Sequence, residues 1–201
     1  MKTSTSASTR NLVLAALFIA IIIVQVIVPF LGYIPLGLMV IGLQITIIQF
    51  TVAIAAILLG PWWGALIGGV WGLASLIQAW TTTYNIGAFL FRNPVTALVP
   101  RIMIGLVVGY TFQALAKRHR QGLGLVLSGF LASFTNTALV VLSAWATIAI
   151  FHVYFPGIPH SGTFMWLLLS LVGTNGIAEM IAGVIIVPII GGAILRVRRS
   201  N

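Results

Sequence analysis

A single acidic residue, Glu179, stands against ten lysines and arginines in the 201 residues of this chain. Soluble domains carry about a quarter charged residues; here 5% are charged and 60% are hydrophobic, with a mean hydropathy of +1.17. Such a chain has too little polar surface to remain dissolved in water, so its solvent is lipid. An ionic group placed within an apolar stretch is then costly, and each one is a candidate for function. Two lie inside the apolar runs, Arg101 and Glu179.

A bilayer crossing takes roughly 20 apolar residues, so the chain has room for about six spans with short loops. Breaks in the apolar pattern predict them at 12–28, 45–59, 62–80, 94–116, 123–150 and 164–195, after a short N-terminal segment, 1–10. The stretch 32–44 is apolar but interrupted by Gly32, Pro35, Gly37 and Gly42, and reads as a re-entrant or surface-lying loop. The whole chain, 1–201, is expected to form one integral membrane domain, all-α, as a six-helix bundle. The first apolar run resembles a signal peptide but is longer than a typical apolar core, and no small-x-small cleavage pattern follows it. It reads as a retained helix.

The basic residues sit at the edges of the apolar runs, which is the placement of topology signals rather than of a nucleic-acid surface. With six spans, Lys2, Arg10, Lys117, Arg118, Arg120, Arg196, Arg198 and Arg199 share one side and Arg92 alone marks the other. That asymmetry puts both termini in the cytoplasm. The location is a cell membrane, crossed several times.

Arg101 falls about seven residues into the fourth span, roughly 10 Å below its outer end. Glu179 lies nearer the middle of the sixth. Two readings stay open for them: an interhelical ion pair, or a guanidinium held ready for a ligand carboxylate or phosphate. Asn175 lies one turn before Glu179, and Thr135, Asn136 and Thr137 bring amide and hydroxyl groups to the fifth span. They either bond helix to helix or line a polar cavity. Trp80, Tyr84, Asn85, Arg92 and Asn93 cluster at the expected outer mouth, as an interfacial aromatic belt or as the rim of a pocket. Gly60, Gly64, Gly68 and Gly72 repeat every four residues, a spacing that lets helix backbones approach. Ala16 and Ala20 repeat it on the first helix, where close packing within the bundle and docking onto another membrane protein are both open.

Absences narrow the function further. No G-x-x-x-x-G-K-[ST] loop occurs, so the chain has no P-loop with which to use ATP. Without aspartate it cannot build an aspartate-rich metal–diphosphate site, and neither G-x-S-x-G nor H-E-x-x-H is present. No catalytic residues, metal site or cofactor are expected, and the protein is not read as an enzyme. It conducts passively, couples to a gradient through Glu179, or borrows power from a partner.

Several stretches, taken in order, resemble a known family: Ala15-Ala16 with Ala20, Leu59-Gly60-Pro61-Trp62-Trp63-Gly64-Ala65, Phe91-Arg92-Asn93-Pro94, Leu98-Val99-Pro100-Arg101-Ile102, Ser133-Phe134-Thr135-Asn136-Thr137, and Asn175-Gly176-Ile177-Ala178-Glu179. They are similar to the substrate-binding S components of energy-coupling factor (ECF) vitamin transporters. The resemblance runs through all six expected spans. It implies a six-helix capture subunit of an ABC-type importer that takes a vitamin at the outer side and delivers it inward. The implied partners are a transmembrane coupling subunit and two ATP-binding-cassette ATPases, with Ala16 and Ala20 on the docking face. The implied pocket includes Arg101, Asn136, Asn175 and Glu179 beneath Trp80, Tyr84, Asn85, Arg92 and Asn93. Arg92 and Arg101 against one acid favour an anionic vitamin, and the likeness is nearest the pantothenate type. Riboflavin or folate is the alternative cargo, and a stand-alone channel or secondary transporter is the rival class.

Overall fold

The computed structural model describes residues 3–35, 44–81, 86–149 and 162–200. The described chain is helical apart from one small ladder: α1 (Thr3–Ile27), α2 (Pro29–Gly32), β1 (Tyr33–Pro35), β2 (Gln44–Thr46), α3 (Ile48–Leu59), α4 (Pro61–Thr81), α5 (Ile86–Phe91), α6 (Pro94–Lys117), α7 (Gln121–Ala149) and α8 (Gly162–Ser200). Five helical stretches are long and apolar enough to cross a bilayer: Thr9–Ile27, Pro61–Thr81, Pro94–Lys117, Gln121–Thr147 and Asn175–Val197. The chain is an all-α, multi-pass membrane protein.

The segment expected as a second span is different. Its helix, α3, has 12 residues, about 18 Å at 1.5 Å per residue, well short of a hydrocarbon core about 30 Å thick. It is entered from β2, and Gly60 ends it. Gly60 has φ of 100°, in the region that only glycine adopts without strain, and its N–H closes the last turn onto the Ala56 carbonyl. What made 45–59 look like a span was apolarity on every side. The structure supplies another cause: Ile48 to Leu58 are buried apart from Thr51, because α3 is packed among α1, α4, α6, α7 and α8. A helix apolar all round is a buried helix, whether protein or lipid covers it.

The glycine repeat on α4 faces α6. A Cβ on Gly72 would lie 2.8 Å from the Ala97 carbonyl oxygen, and one on Gly64 would lie 3.0 Å from Gly105 Cα. Gly68 meets the Arg101 carbonyl with no room for a methyl group at all. On the far side of the bundle Gly129 of α7 and Gly183 of α8 press backbone to backbone in the same way. Dispersion and the close approach of small residues hold helices together where lipid supplies no hydrophobic drive.

The ends of the expected interrupted loop pair as an antiparallel ladder, Tyr33 with Thr46, Ile34 with Ile45 and Pro35 with Gln44. The ladder continues into the Ile47 N–H, which donates to the Gly32 carbonyl. Further along the chain, α6 closes at Lys117, and His119 adopts a left-handed conformation, φ 59°, in the exposed turn that leads to α7.

Candidate functional site

Arg101 is built into α6 by its neighbour in sequence. Pro100 lies inside the helix and has no N–H, so the carbonyl four residues earlier, Thr96, loses its regular helical donor. Arg101 fills the gap: its Nη1 donates to the Thr96 carbonyl at 2.7 Å. The guanidinium then lies over two rings, 4.9 Å from the centroid of Trp71 and 4.4 Å from that of Phe91. Trp71 comes from α4 one turn beyond Gly68, so the close α4–α6 approach is what brings the indole to the arginine. Phe91 comes from the end of α5. Arg101 is 4% exposed, and its Nε has no hydrogen-bond partner among the described residues.

Glu179 is equally buried, at 4%, and its partner is not a cation. Oε1 accepts the Thr46 backbone N–H at 2.8 Å, 133 residues away in the chain, so the only carboxylate side chain ties the ladder to α8. Among the described residues Arg101 and Glu179 are each held by their own hydrogen-bond partner, and no ion pair joins them. A polar chain continues behind the carboxylate. Gln49 Nε2 of α3 donates to Ser133 Oγ at 3.1 Å, and Ser133 Oγ donates to the Glu179 carbonyl at 2.9 Å. Three helices are thereby linked at one depth.

Tyr33 of β1 belongs to the same neighbourhood. Burial pushes its phenol above the ordinary value, against the lowering influence of the Arg101 guanidinium. Asn136, one turn along α7 from Ser133, is 9% exposed, and its Oδ1 has no partner among the described residues. Asn175 is half-buried one turn before Glu179, where Gly176 packs against Thr137 of α7. Buried polar atoms are nearly always paired. Unpaired Arg101 Nε and Asn136 Oδ1 are therefore groups with unused capacity to bind.

The residues expected at the mouth divide. Arg92 lies 5.1 Å over the Trp80 ring, and its Nε donates to the Ala79 carbonyl at 3.0 Å, fastening the α5–α6 connection to the end of α4. Asn93 caps α6 by accepting the Val95 N–H at 2.9 Å, while its Nδ2 donates to Thr147 Oγ1 of α7 at 3.0 Å. These side chains brace the ends of α4, α6 and α7 against one another. Tyr84 and Asn85 lie outside the described residues. On α1, Ala16 and Ala20 are exposed while Ala15 is buried.

Sequence reasoning overlooked Tyr33, Thr46, Gln49, Trp71 and Thr96, and named Phe91 only within a family-like stretch, with no role. Gln49 had a signal, a lone amide in an otherwise apolar helix. Thr96 had one too, four residues before Pro100. Thr46 had none, because its backbone does the binding.

A multi-pass bundle with two ionisable side chains held inside it, each by a hydrogen bond to a backbone group, is an integral membrane protein with a polar interior. Its kind is settled by likeness as well as by architecture. Residues 10–191 match the model of the family described as "ECF transporter, substrate-specific component", and the chain belongs to that family. It is 46% identical over 190 residues to "Pantothenate transporter PanT" of Leuconostoc mesenteroides, covering 93% of both chains. It is 30% identical over 164 residues to "Pantothenic acid transporter PanT" of Lactococcus lactis subsp. cremoris, covering 75% of this chain and 77% of the relative.

Proposed function

We propose that this substrate-specific component captures pantothenate at the outer side of the membrane and passes it inward with an ATP-driven partner assembly. The observation that carries the reading is Arg101, a buried guanidinium with an unpaired Nε, within a family whose two similar members are named for this vitamin. Pantothenate has one carboxylate, two hydroxyls and an amide. Arg101 takes the carboxylate, and Asn136, Asn175 and Glu179 read the hydroxyls and amide. Trp80, Arg92 and Asn93 form the outer rim.

The topology that suits this role has six membrane segments with both termini in the cytoplasm. The Lys/Arg distribution supports it, and the even number of crossings it requires makes α3 a short crossing enclosed by protein rather than a lipid-facing span. Ala16 and Ala20, exposed on α1, form a small-residue face on which a transmembrane coupling subunit docks. ATP hydrolysis belongs to two ATPase subunits of that assembly.

The test is equilibrium binding on the detergent-purified chain, with pantothenate, riboflavin and folate offered separately. One-to-one binding of pantothenate alone is expected. Hydrogen bonds to charged groups are worth about 1.5–3 kcal/mol each, so losing a two-bond clamp in Arg101→Ala weakens binding by roughly a hundredfold to ten-thousandfold. Preference for riboflavin or folate would replace the cargo, and binding of none would return weight to a channel or secondary transporter.

A further inference from the structure

We infer that Pro100 is a positioning residue for ligand recognition, acting with Trp71 and Phe91 to hold the Arg101 guanidinium so that its Nε edge is offered to a carboxylate. A proline within α6 is costly for the helix, and Pro100 is fully buried, so neither lipid contact nor a helix end accounts for it. Its effect is local and specific. It withholds the one N–H that would otherwise occupy the Thr96 carbonyl, and that carbonyl takes Arg101 Nη1 at 2.7 Å. One end of the guanidinium is thereby pinned to the backbone of its own helix.

The rings do the rest. Both face the cationic carbon, at 4.4 and 4.9 Å, and an aromatic face attracts a guanidinium without accepting its in-plane N–H groups in ordinary hydrogen bonds. The Thr96 carbonyl engages Nη1 and the rings lie against Cζ, while Nε, itself buried, is unpaired among the described residues. A guanidinium edge that carries an unpaired Nε matches a carboxylate, which accepts two parallel N–H bonds. A neutral hydroxyl in the same place accepts one. The device therefore selects for charge and shape together, and its parts lie on three elements: α4, α5 and α6.

This rests on the pantothenate reading for its ligand, so the experiment carries a second, ligand-independent readout. Wild type, Pro100→Ala and Phe91→Leu are compared for affinity toward pantothenate and toward its analogue with the carboxylate reduced to a primary alcohol. In parallel, 15N NMR of arginine-labelled protein in detergent measures rotation of the Arg101 guanidinium about its Nε–Cζ bond. Pro100→Ala restores the helical N–H to the Thr96 carbonyl, so the helix keeps or gains thermal stability. Yet the preference for pantothenate over the alcohol is expected to fall about tenfold and guanidinium rotation to quicken. Phe91→Leu lowers the preference in the same direction, and Phe91→Tyr retains it.

An unchanged preference and unchanged rotation in Pro100→Ala would overturn the inference, because a proline that only shapes the helix moves neither. If the wild type fails to bind pantothenate, the proposed cargo falls. The rotation measurement then decides alone: hindered in wild type and freed in Pro100→Ala supports the positioning role, and equal rates refute it.

Discussion

Two neighbouring glycines on α4 provide an internal comparison for how the bundle sets its binding residues. Gly68 faces the Arg101 carbonyl with no space for a Cβ, whereas a Cβ on Gly69 would lie 3.6 Å from the Ile102 side chain, an ordinary contact. Gly68→Ala and Gly69→Ala gain the same helix propensity, about 1 kcal/mol, so that contribution cancels between them. What remains is the overpacking at Gly68, where the obstacle is backbone and cannot rotate away, about 1–3 kcal/mol. At about 2–4 °C per kcal/mol for a chain of this size, Gly68→Ala should melt roughly 2–12 °C below Gly69→Ala in a thermal-shift assay on detergent-purified protein. The functional consequence should be larger. Forcing α4 from α6 at Gly68 moves Trp71, one turn away, off the guanidinium, so ligand affinity should drop in Gly68→Ala and hold in Gly69→Ala. Equal melting and equal affinity for the two variants would refute the claim that glycine-mediated contact between α4 and α6 positions Arg101.

Glu179→Ala removes the acceptor of the Thr46 N–H, leaving a partly buried donor unpaired at a cost of about 1–3 kcal/mol. Lower thermal stability and faster amide exchange at Thr46 are expected, with Glu179→Gln, which keeps an acceptor oxygen, recovering most of both; a glutamine variant as poor as alanine would make the charge rather than the hydrogen bond decisive. Replacing Ala16 and Ala20 together by leucine adds bulk to an exposed face of α1. It should leave ligand affinity intact while ATP-driven uptake by the reconstituted assembly stops, and continued uptake would put the docking face elsewhere.

The polar site was legible to the extent that its residues advertised themselves chemically. Arg101 and Glu179 were conspicuous because charge is rare in lipid-facing sequence, and Asn136 and Asn175 because amides are. Their roles were less legible. The ion pair that a lone cation and a lone anion suggest is absent among the described residues, because each found a backbone partner: the Thr96 carbonyl for one, the Thr46 N–H for the other. Backbone groups exist at every position, so residue identity carries no sign of which one is used. Trp71 and Phe91 were hidden for a different reason. Aromatic residues in an apolar helix look alike whether they face lipid, core or a guanidinium.

By itself the sequence determined the solvent, the helical class and most of the segment boundaries, since apolar run length and the transfer cost of charge act locally and add along the chain. It also determined that the glycine repeat would be an interface, because a four-residue spacing puts small residues on one helical face. Only the tertiary structure decided that α3 is a short helix buried by protein along almost all of its surface, as apolarity does not distinguish lipid from neighbouring helices. The same holds for the binding groups. Which donor stays unpaired depends on what every adjacent element contributes at that depth. For Arg101 this meant a carbonyl freed by Pro100, an indole brought in over Gly68 and a phenyl ring from α5, and their convergence is a property of packing in three dimensions.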